Sequence, residues 1–375
     1  MRIPLSAPDI AAAEIEAVLA VLRGPRLSLG PVLEQFEESV ARYTGAPHAI
    51  AVSSGTAGLH LAIRALGIGE GDEVLAPSFT FIAAANAIRY ERANPVFVDI
   101  EPRWLNLDPA RIEERITPRT RAILAVHTFG VPAEMDAILE IARRRGLFVI
   151  EDACEAIGAE FQGAKAGAIG DLGVFGFYPN KQITTGEGGM VVTADRRLAD
   201  RIRALRNQGR YETDAWLQHS ELGYNYRLSE IHCALGLGQM LRIEAILRRR
   251  EAVAEEYTRR LGRFADLVLP ASPAPGGRIS WFVYVLRLSP DCGEPERDAV
   301  LRGLHDAGIG CGRYFAPIHL QPAYAAWRDS PGLFVTESEA CRTIALPFFN
   351  ALTSAEIEEV AETLGRLLPH RGRLA

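Results

Sequence analysis

Through its first two-thirds the chain alternates short apolar runs with amphipathic stretches, and this alternation limits the folds open to it. Runs suited to strands occupy 48–52 (HAIAV), 72–76 (DEVLA), 95–100 (PVFVDI), 122–127 (AILAVH), 147–152 (LFVIED), 173–178 (GVFGFY) and 189–194 (GMVVTA). Helical patterns lie between most of them, over 56–66, 79–90 and 134–145. Strand, helix and strand at this spacing predict an α/β domain with a mostly parallel sheet. Ligands in such sheets bind at the carboxyl ends of the strands, so the loops that follow the strands are where chemistry is expected. Two further helices are predicted ahead of the first strand. One starts at Asp9, a good N-cap, and ends at Gly24; the other starts at Pro31 and ends before Gly45.

From Ser229 to about Gly262 a long helical pattern without Pro links this domain to a smaller one. After a loop rich in Pro and Gly (270–277) come a strand over 281–288, a helix over 294–307, a strand near 309–314 and a last helix over 354–367. The expected division is a large domain, 1–244, and a smaller C-terminal α+β domain, 245–375.

Composition excludes several classes. With 48% hydrophobic residues spread along 375 positions, disorder is not expected. Asp and Glu (47) outnumber Lys and Arg (41), which gives no basic footprint for nucleic acid. The apolar stretch 74–88 is broken by Pro77, Ser78, Thr80 and Asn86, so no membrane span is expected. The opening MRIPLSAPDI lacks a signal-peptide core, and the five cysteines contain no CxxC pair; a cytoplasmic protein with reduced thiols is expected. GxxxxGK[ST], HExxH and GxSxG are absent, and the eight histidines show no metal-ligand spacing, so no metal site is expected. Gly67, Gly69 and Gly71 precede a strand and read as a turn.

Three segments that follow predicted strands fit one task. SSGTAG (53–58) opens a helix, where small residues and the helix N-terminus suit an anion such as phosphate; an ordinary capped turn would carry the same residues. VIEDAC (149–154) places a carboxylate where it could hold a protonated heterocyclic nitrogen, or merely cap a helix. FGFYPNKQITTGEGG (175–189) carries Lys181 in a polar loop. Lysine occurs only at 165 and 181, so 39 of the 41 basic residues are arginine. Where a plain cation would serve, this chain uses Arg. Only Lys can form an imine, so Lys181 is assigned covalent chemistry, while Lys165, in the turn-like QGAKAG, is read as a surface charge. A phosphate cradle, a pyridinium partner and an imine-forming lysine are the parts that pyridoxal 5′-phosphate requires.

At these residues the chain resembles the DegT/DnrJ sugar aminotransferases, within the fold-type-I class of pyridoxal phosphate enzymes. The likeness runs nearly end to end. It includes LGPVLEQFEESVARYTG, VSSGTAGLHLAIRALGIGEGDEVLAPSFTF, PVFVDIEP, IEDACEAIGA, the Lys181 loop and GYNYRLSEIHCALGLGQM. The resemblance implies that Thr56 and Ala57 bind the phosphate, Phe81 stacks on the ring, Asp152 pairs with the ring nitrogen, and Lys181 carries the cofactor. It also implies that Asn225, in GYNYR, reaches the phosphate of a neighbouring subunit in a homodimer with shared active sites.

Two positions depart from the common pattern. Gly176 stands where many members have Ser, and Glu155 stands beside the cofactor where His or Gln is common. Glu155, NKQITTGEGG and RNQG (206–209) look most like the branch that aminates carbon 4 of nucleotide-linked 4-keto-6-deoxy sugars, to which GDP-perosamine synthases belong. The implied reaction moves an amino group from L-glutamate to a keto sugar nucleotide. Arg227, Tyr314 and His319 are candidates for the nucleotide side. Two readings compete: a sugar dehydratase of the same family, in which a histidine replaces Lys181, and a regulatory protein that keeps the cofactor without turnover. A carboxylate at 155 beside the cofactor's phenolate oxygen would meet like-charge repulsion, so Glu155 is expected to be protonated or tied to a donor.

Overall fold

The computed structural model describes residues 1–369; positions 370–375 of the expected C-terminal domain lie outside the described residues. Helices α1 (Ala12–Arg23) and α2 (Pro31–Thr44) come first. Pro31 opens α2 and Gly45, at φ 78°, closes it. Asp9 does not cap α1. Its carboxylate accepts from Asn350 Nδ2 at 2.7 Å, and the Glu14 side chain instead takes the N–H of Ala11 at 2.8 Å.

There follow β1 (His48–Val52), α3 (Gly55–Ala65), β2 (Glu73–Pro77), α4 (Ala83–Tyr90), β3 (Asn94–Val98), β4 (Thr120–Val126), α5 (Met135–Arg145) and β5 (Phe148–Asp152). A short hairpin, β6 (Glu160–Phe161) and β7 (Ala164–Lys165), leads to β8 (Leu172–Gly176), β9 (Gly189–Thr193) and α6 (Arg196–Arg206). The seven-stranded sheet runs β1-β9-β8-β5-β4-β2-β3. Only β9 runs opposite to the other six strands. Alternate strand residues enter different cores. Val74, Leu124 and Val174 pack with Leu59 and Ile63 of α3, while Leu75, Ile123 and Val149 pack with Ile138 and Ile141 of α5. Burial on both faces is why these strands read as continuous apolar runs.

Helix α7 (Glu230–Leu241) packs Cys233 and Met240 into the large-sheet core with Phe36 of α2, and the C-terminal part follows with α8 (Ile243–Leu261), β10 (Leu267–Val268), β11 (Tyr284–Leu288), α9 (Glu294–Asp306), α10 (Phe334–Ala340), β12 (Thr343–Leu346) and α11 (Ser354–Leu367). Its sheet is antiparallel, ordered β10-β11-β12. Helix α8 serves two cores: Ile246 and Leu247 join the large-sheet core, Tyr257 and Leu261 the C-terminal one. Ile3 also joins the C-terminal core and bridges to Ile309.

Three elements differ from expectation. The long helix breaks at Arg242, whose guanidinium is drawn to Glu14 Oε1 at 2.5 Å and to the Asp9 carbonyl at 2.5 Å. Helix α4 starts at Ala83, not residue 79, because Ser78 and its neighbours are held outside a helix: the Ser78 carbonyl accepts from the N–H of Ile318 at 2.9 Å. The segment 309–314 forms only isolated bridges, to Ile3 and to Ala345, and Thr343–Leu346 takes the strand position. A Cβ on Gly310 would lie 2.4 Å from Leu5 N, so the crossing N-terminal segment occupies the space beside it.

Candidate active site

The carboxyl ends of the parallel strands open into a cavity of about 550 Å³. Its walls come from four places: the start of α3, the loop after β2, the Asp152–Glu155 segment after β5, and the loop after β8. The C-terminal part closes it with Phe282, Arg313, Tyr314, Phe315 and Gln321.

At the start of α3, Ser54 is the N-cap, its Oγ accepting from the N–H of Ala57 at 3.0 Å. Ser54, Gly55 and Thr56 line the cavity, so the positive end of the helix dipole faces it. Gly55 is required by close approach. A Cβ there would lie 2.7 Å from Cys154 Sγ and 3.3 Å from Gly176 Cα. Phe81 is not a core aromatic: it is 61% exposed and stands in the cavity wall.

Asp152 ends β5 and is 8% exposed. Its Oδ1 accepts from the N–H of Cys154 at 3.1 Å, and its carbonyl accepts from the N–H of His127 at 3.1 Å. The preceding residue, Glu151, lies on the opposite face of the strand. Its carboxylate accepts from the N–H groups of Gly167, Ile169 and Gly170 at 2.6–2.8 Å and pairs with His127 Nε2 at 2.9 Å. His127 Nδ1 accepts the N–H of Ala133, which leaves its proton on Nε2, facing Glu151. This buried brace holds the strand end that carries Asp152.

Glu155 is 7% exposed. Its Oε2 accepts from the N–H of Phe129 at 3.0 Å and its Oε1 from Lys181 Nζ at 3.3 Å. Burial pushes the Glu155 carboxyl above its ordinary range, against the opposing pull of Lys181 and the Phe129 N–H. Cys154, beside it, is likewise driven well up by burial, with the Asp152 charge adding to the effect. Lys181 sits in the turn after β8, its N–H donating to the Tyr178 carbonyl at 2.9 Å, and its side chain is 15% exposed. Its Nζ lies 4.0 Å from the centre of the Phe282 ring. Gln182 fixes the loop by donating to the carbonyls of Glu155 (2.5 Å) and Ser280 (2.8 Å). Lys165, by contrast, pairs with Glu160 at 2.6 Å away from the cavity.

The structure thus brings Thr56, Phe81, Asp152, Glu155 and Lys181 to one cavity, with Ala57 in the first turn of the same helix. Asn225 lies outside the cavity of its own chain and is exposed. Of the three nucleotide-side candidates only Tyr314 lines the cavity. Arg227 donates to Asn207 Oδ1 at 3.0 Å, and His319 is fully buried, Nδ1 2.7 Å from Ser78 Oγ, as a pin behind the Tyr314 loop. The Phe129 N–H, Phe282 and Gln321 went unremarked in the sequence. An apolar residue in a strand signals a core, and the one signal for Phe129 was its place just after β4.

The residues fit pyridoxal phosphate. The helix end points its N–H groups into the cavity, Gly55 and Gly176 let that end pack closely against Cys154, and Phe81 presents an unburied ring face. Asn180, in the cavity wall, keeps a buried Oδ1 without a hydrogen-bond partner among the described residues.

The model of the DegT/DnrJ/EryC1/StrS aminotransferase family matches residues 8–365. The GDP-perosamine synthase of Caulobacter vibrioides is 42% identical over 368 residues, 98% of each chain. The crystal structure of S. venezuelae DesV in complex with a ketimine intermediate has a TM-score of 0.87 at 38% identity, covering 94% of this chain and 93% of that one. Spr1654 of Streptococcus pneumoniae, solved in its PLP form, has a TM-score of 0.93 at 26% identity, covering 98% of both chains. Family match, near-complete coverage and a common fold agree: the chain belongs to the DegT/DnrJ/EryC1/StrS aminotransferase family.

Proposed function

We propose that this chain, with pyridoxal 5′-phosphate, transfers an amino group from L-glutamate to a nucleotide-linked keto sugar, with a 4-keto-6-deoxy sugar as acceptor. The observation that carries the reading is the convergence of Lys181, Glu155 and Asp152 on one cavity that the α3 N-terminus also lines. The similarity to GDP-perosamine synthase supports the choice of acceptor. The cofactor, when bound, supplies a carbonyl carbon that takes up and passes on an amino group, and a ring that withdraws electrons.

The chain's own residues do the rest. The N-terminus of α3, with Thr56 and Ala57, binds the phosphate. The Asp152 carboxylate keeps a proton on the ring nitrogen, and Phe81 covers the ring face. Lys181 Nζ, once free, moves a proton from the α-carbon of the amino donor, and later returns one to the sugar carbon that receives the amine. Glu155, held towards its protonated form by burial, would avoid setting a full negative charge beside an anionic group of the bound cofactor.

The functional unit we propose is a homodimer, located in the cytoplasm, in which Asn225 serves the partner's cofactor phosphate. Tyr224 and Tyr226 stack on one another at 5.1 Å and are packed inward, while Asn225 between them is exposed. A single chain also leaves Trp216, Leu217, Leu222 and Leu241 more than 70% exposed, apolar surface that suits a subunit contact. No helix among the described residues is long and apolar enough to cross a membrane. The test is to incubate the reconstituted protein with glutamate and a panel of keto sugar nucleotides. Formation of 2-oxoglutarate together with an amino sugar nucleotide is expected; release of neither, across the 4-keto substrates, would refute the reading.

A further inference from the structure

Arg250 of α8 is 3% exposed and has no carboxylate in hydrogen-bond contact among the described residues. Its Nε donates to the Trp281 carbonyl at 2.6 Å and its Nη2 to the Phe282 carbonyl at 2.8 Å. Burial pulls its guanidinium down to about 10. A buried cation is costly unless it is fully hydrogen-bonded, so this one is spent on fixing two backbone carbonyls. The same strand entry is held on its other side. Ser280 Oγ donates to the Ile157 carbonyl at 2.6 Å, and the Ser280 carbonyl accepts from Gln182, the neighbour of Lys181. What these bonds fix is the Phe282 ring, 4% exposed, with the Lys181 ammonium 4.0 Å above its centre and Glu155 Oε1 on that ammonium at 3.3 Å.

We propose that Phe282 is a positioning residue for Lys181: its ring face and the Glu155 carboxyl hold the amine at the cavity floor whenever it is free. The inference rests on the reading of Lys181 as the catalytic amine, and it assigns a role in that chemistry to a residue of the C-terminal part. A free lysine side chain has four rotatable bonds and a large rotamer entropy. A catalytic amine released between proton transfers gains from a partner that restrains it without a competing permanent charge. A π-face does this, and its attraction for a cation strengthens where water is excluded. Leu at 282 would keep most of the volume and lose that attraction. Tyr would keep it.

The two-lysine composition makes the test direct. The full chain, stripped of cofactor and reductively methylated with ¹³C, gives two lysine side-chain signals, and Lys165 is the internal reference. The Lys181 signal is expected upfield from the ring current of Phe282, to lose that shift in Phe282→Leu and to keep it in Phe282→Tyr. In parallel, the glutamate half-reaction of the reconstituted enzyme should slow about tenfold in kcat in Phe282→Leu, with KM nearly unchanged, as expected for loss of ~1.4 kcal/mol of restraint. Should the Leu variant not fold, pentafluorophenylalanine at 282 keeps the shape and reverses the ring's charge distribution; it should displace the Lys181 signal and lower kcat in the same way. A Lys181 signal that is the same in the wild type and these variants would overturn the proposal. So would an unchanged kcat. If the wild type never transaminates but the signal moves with residue 282, the functional reading fails and the positioning stands.

Discussion

Lys181 and Lys165 carry the same group, yet one meets Glu155 and Phe282 in a cavity and the other pairs with Glu160 outside it. In a chain that uses arginine for 39 of 41 basic residues, Lys181→Arg would be among the mildest of changes if only charge mattered. Arg is a poor nucleophile and stays protonated, so it fails at both tasks assigned to Lys181. The variant should fold, lack the visible absorbance of cofactor bound through lysine, resist borohydride labelling at 181, and lose several orders of magnitude in turnover. Near-normal turnover would remove Lys181 from the mechanism. Glu155 gives a second test. Its carboxyl is raised in the folded protein by burial, so the folded state binds more protons than the unfolded one. Stability of the cofactor-free protein should therefore fall as pH rises above the ordinary carboxyl value of about 4.3. Glu155→Gln removes that dependence: its melting temperature relative to wild type should climb as pH rises above that value, with most cofactor binding and activity kept. A difference that shrinks over that range would show that Glu155 is favoured as an anion. Glu155 was singled out because the family resemblance sets position 155 beside the cofactor, where a carboxylate raises a charge problem; the Phe129 N–H that meets it is a backbone group, which any residue type would have supplied.

Helix α3 shows how an element delivers a site. Ser54 caps it, Gly55 begins it, and the missing Cβ at 55 lets the helix end approach Cys154 and Gly176 on the neighbouring strand connections. Gly55→Ala should overpack this junction and cost about 1–3 kcal/mol, seen as a lower melting temperature and weaker retention of pyridoxal phosphate. Cys154→Ala in the same chain should recover much of both, since Sγ is the nearest obstacle; a double variant no better than Gly55→Ala would place the strain on the Gly176 backbone instead. The large-sheet strands were readable because they are buried on both faces and separated by helices of the right period. The elements that misled did so through distant partners. Ile309 has strand-like neighbours, but the crossing residues 3–5 occupy the place where a paired strand would lie, and TIAL at 343–346 is too short and featureless to announce itself. The pattern from 229 to 262 carries no local signal at Arg242, because the break is set by Asp9 and Glu14, more than 220 positions away.

At the scale of the whole molecule, the proposed phosphate end of the site is a helix N-terminus of the same chain, while Asn225, in GYNYR, sits exposed outside the cavity of that chain. The pair Tyr224 and Tyr226 anchors the segment: the Tyr224 hydroxyl donates to Glu91 at 2.9 Å, and Tyr226 OH lies 3.1 Å from His60 Nδ1. Such anchoring makes sense if the asparagine between them must be presented to another molecule at a fixed height. In the proposed homodimer, a two-fold axis would carry each Asn225 to the other chain's cofactor. Asn225→Ala should then weaken cofactor retention while leaving the dimer intact, and Lys181→Ala should abolish turnover. Mixing the two inactive or weakened proteins after dissociation separates the arrangements. If Asn225 serves the partner, the mixed dimer contains one site with a wild-type Lys181 and a wild-type Asn225, and random pairing restores about a quarter of wild-type sites. If each Asn225 serves its own chain, no mixed dimer contains an intact site and mixing restores nothing. Recovered turnover with wild-type cofactor affinity, proportional to the mixed-dimer fraction, is the expected result; full activity in a monomer would dispose of the shared site altogether.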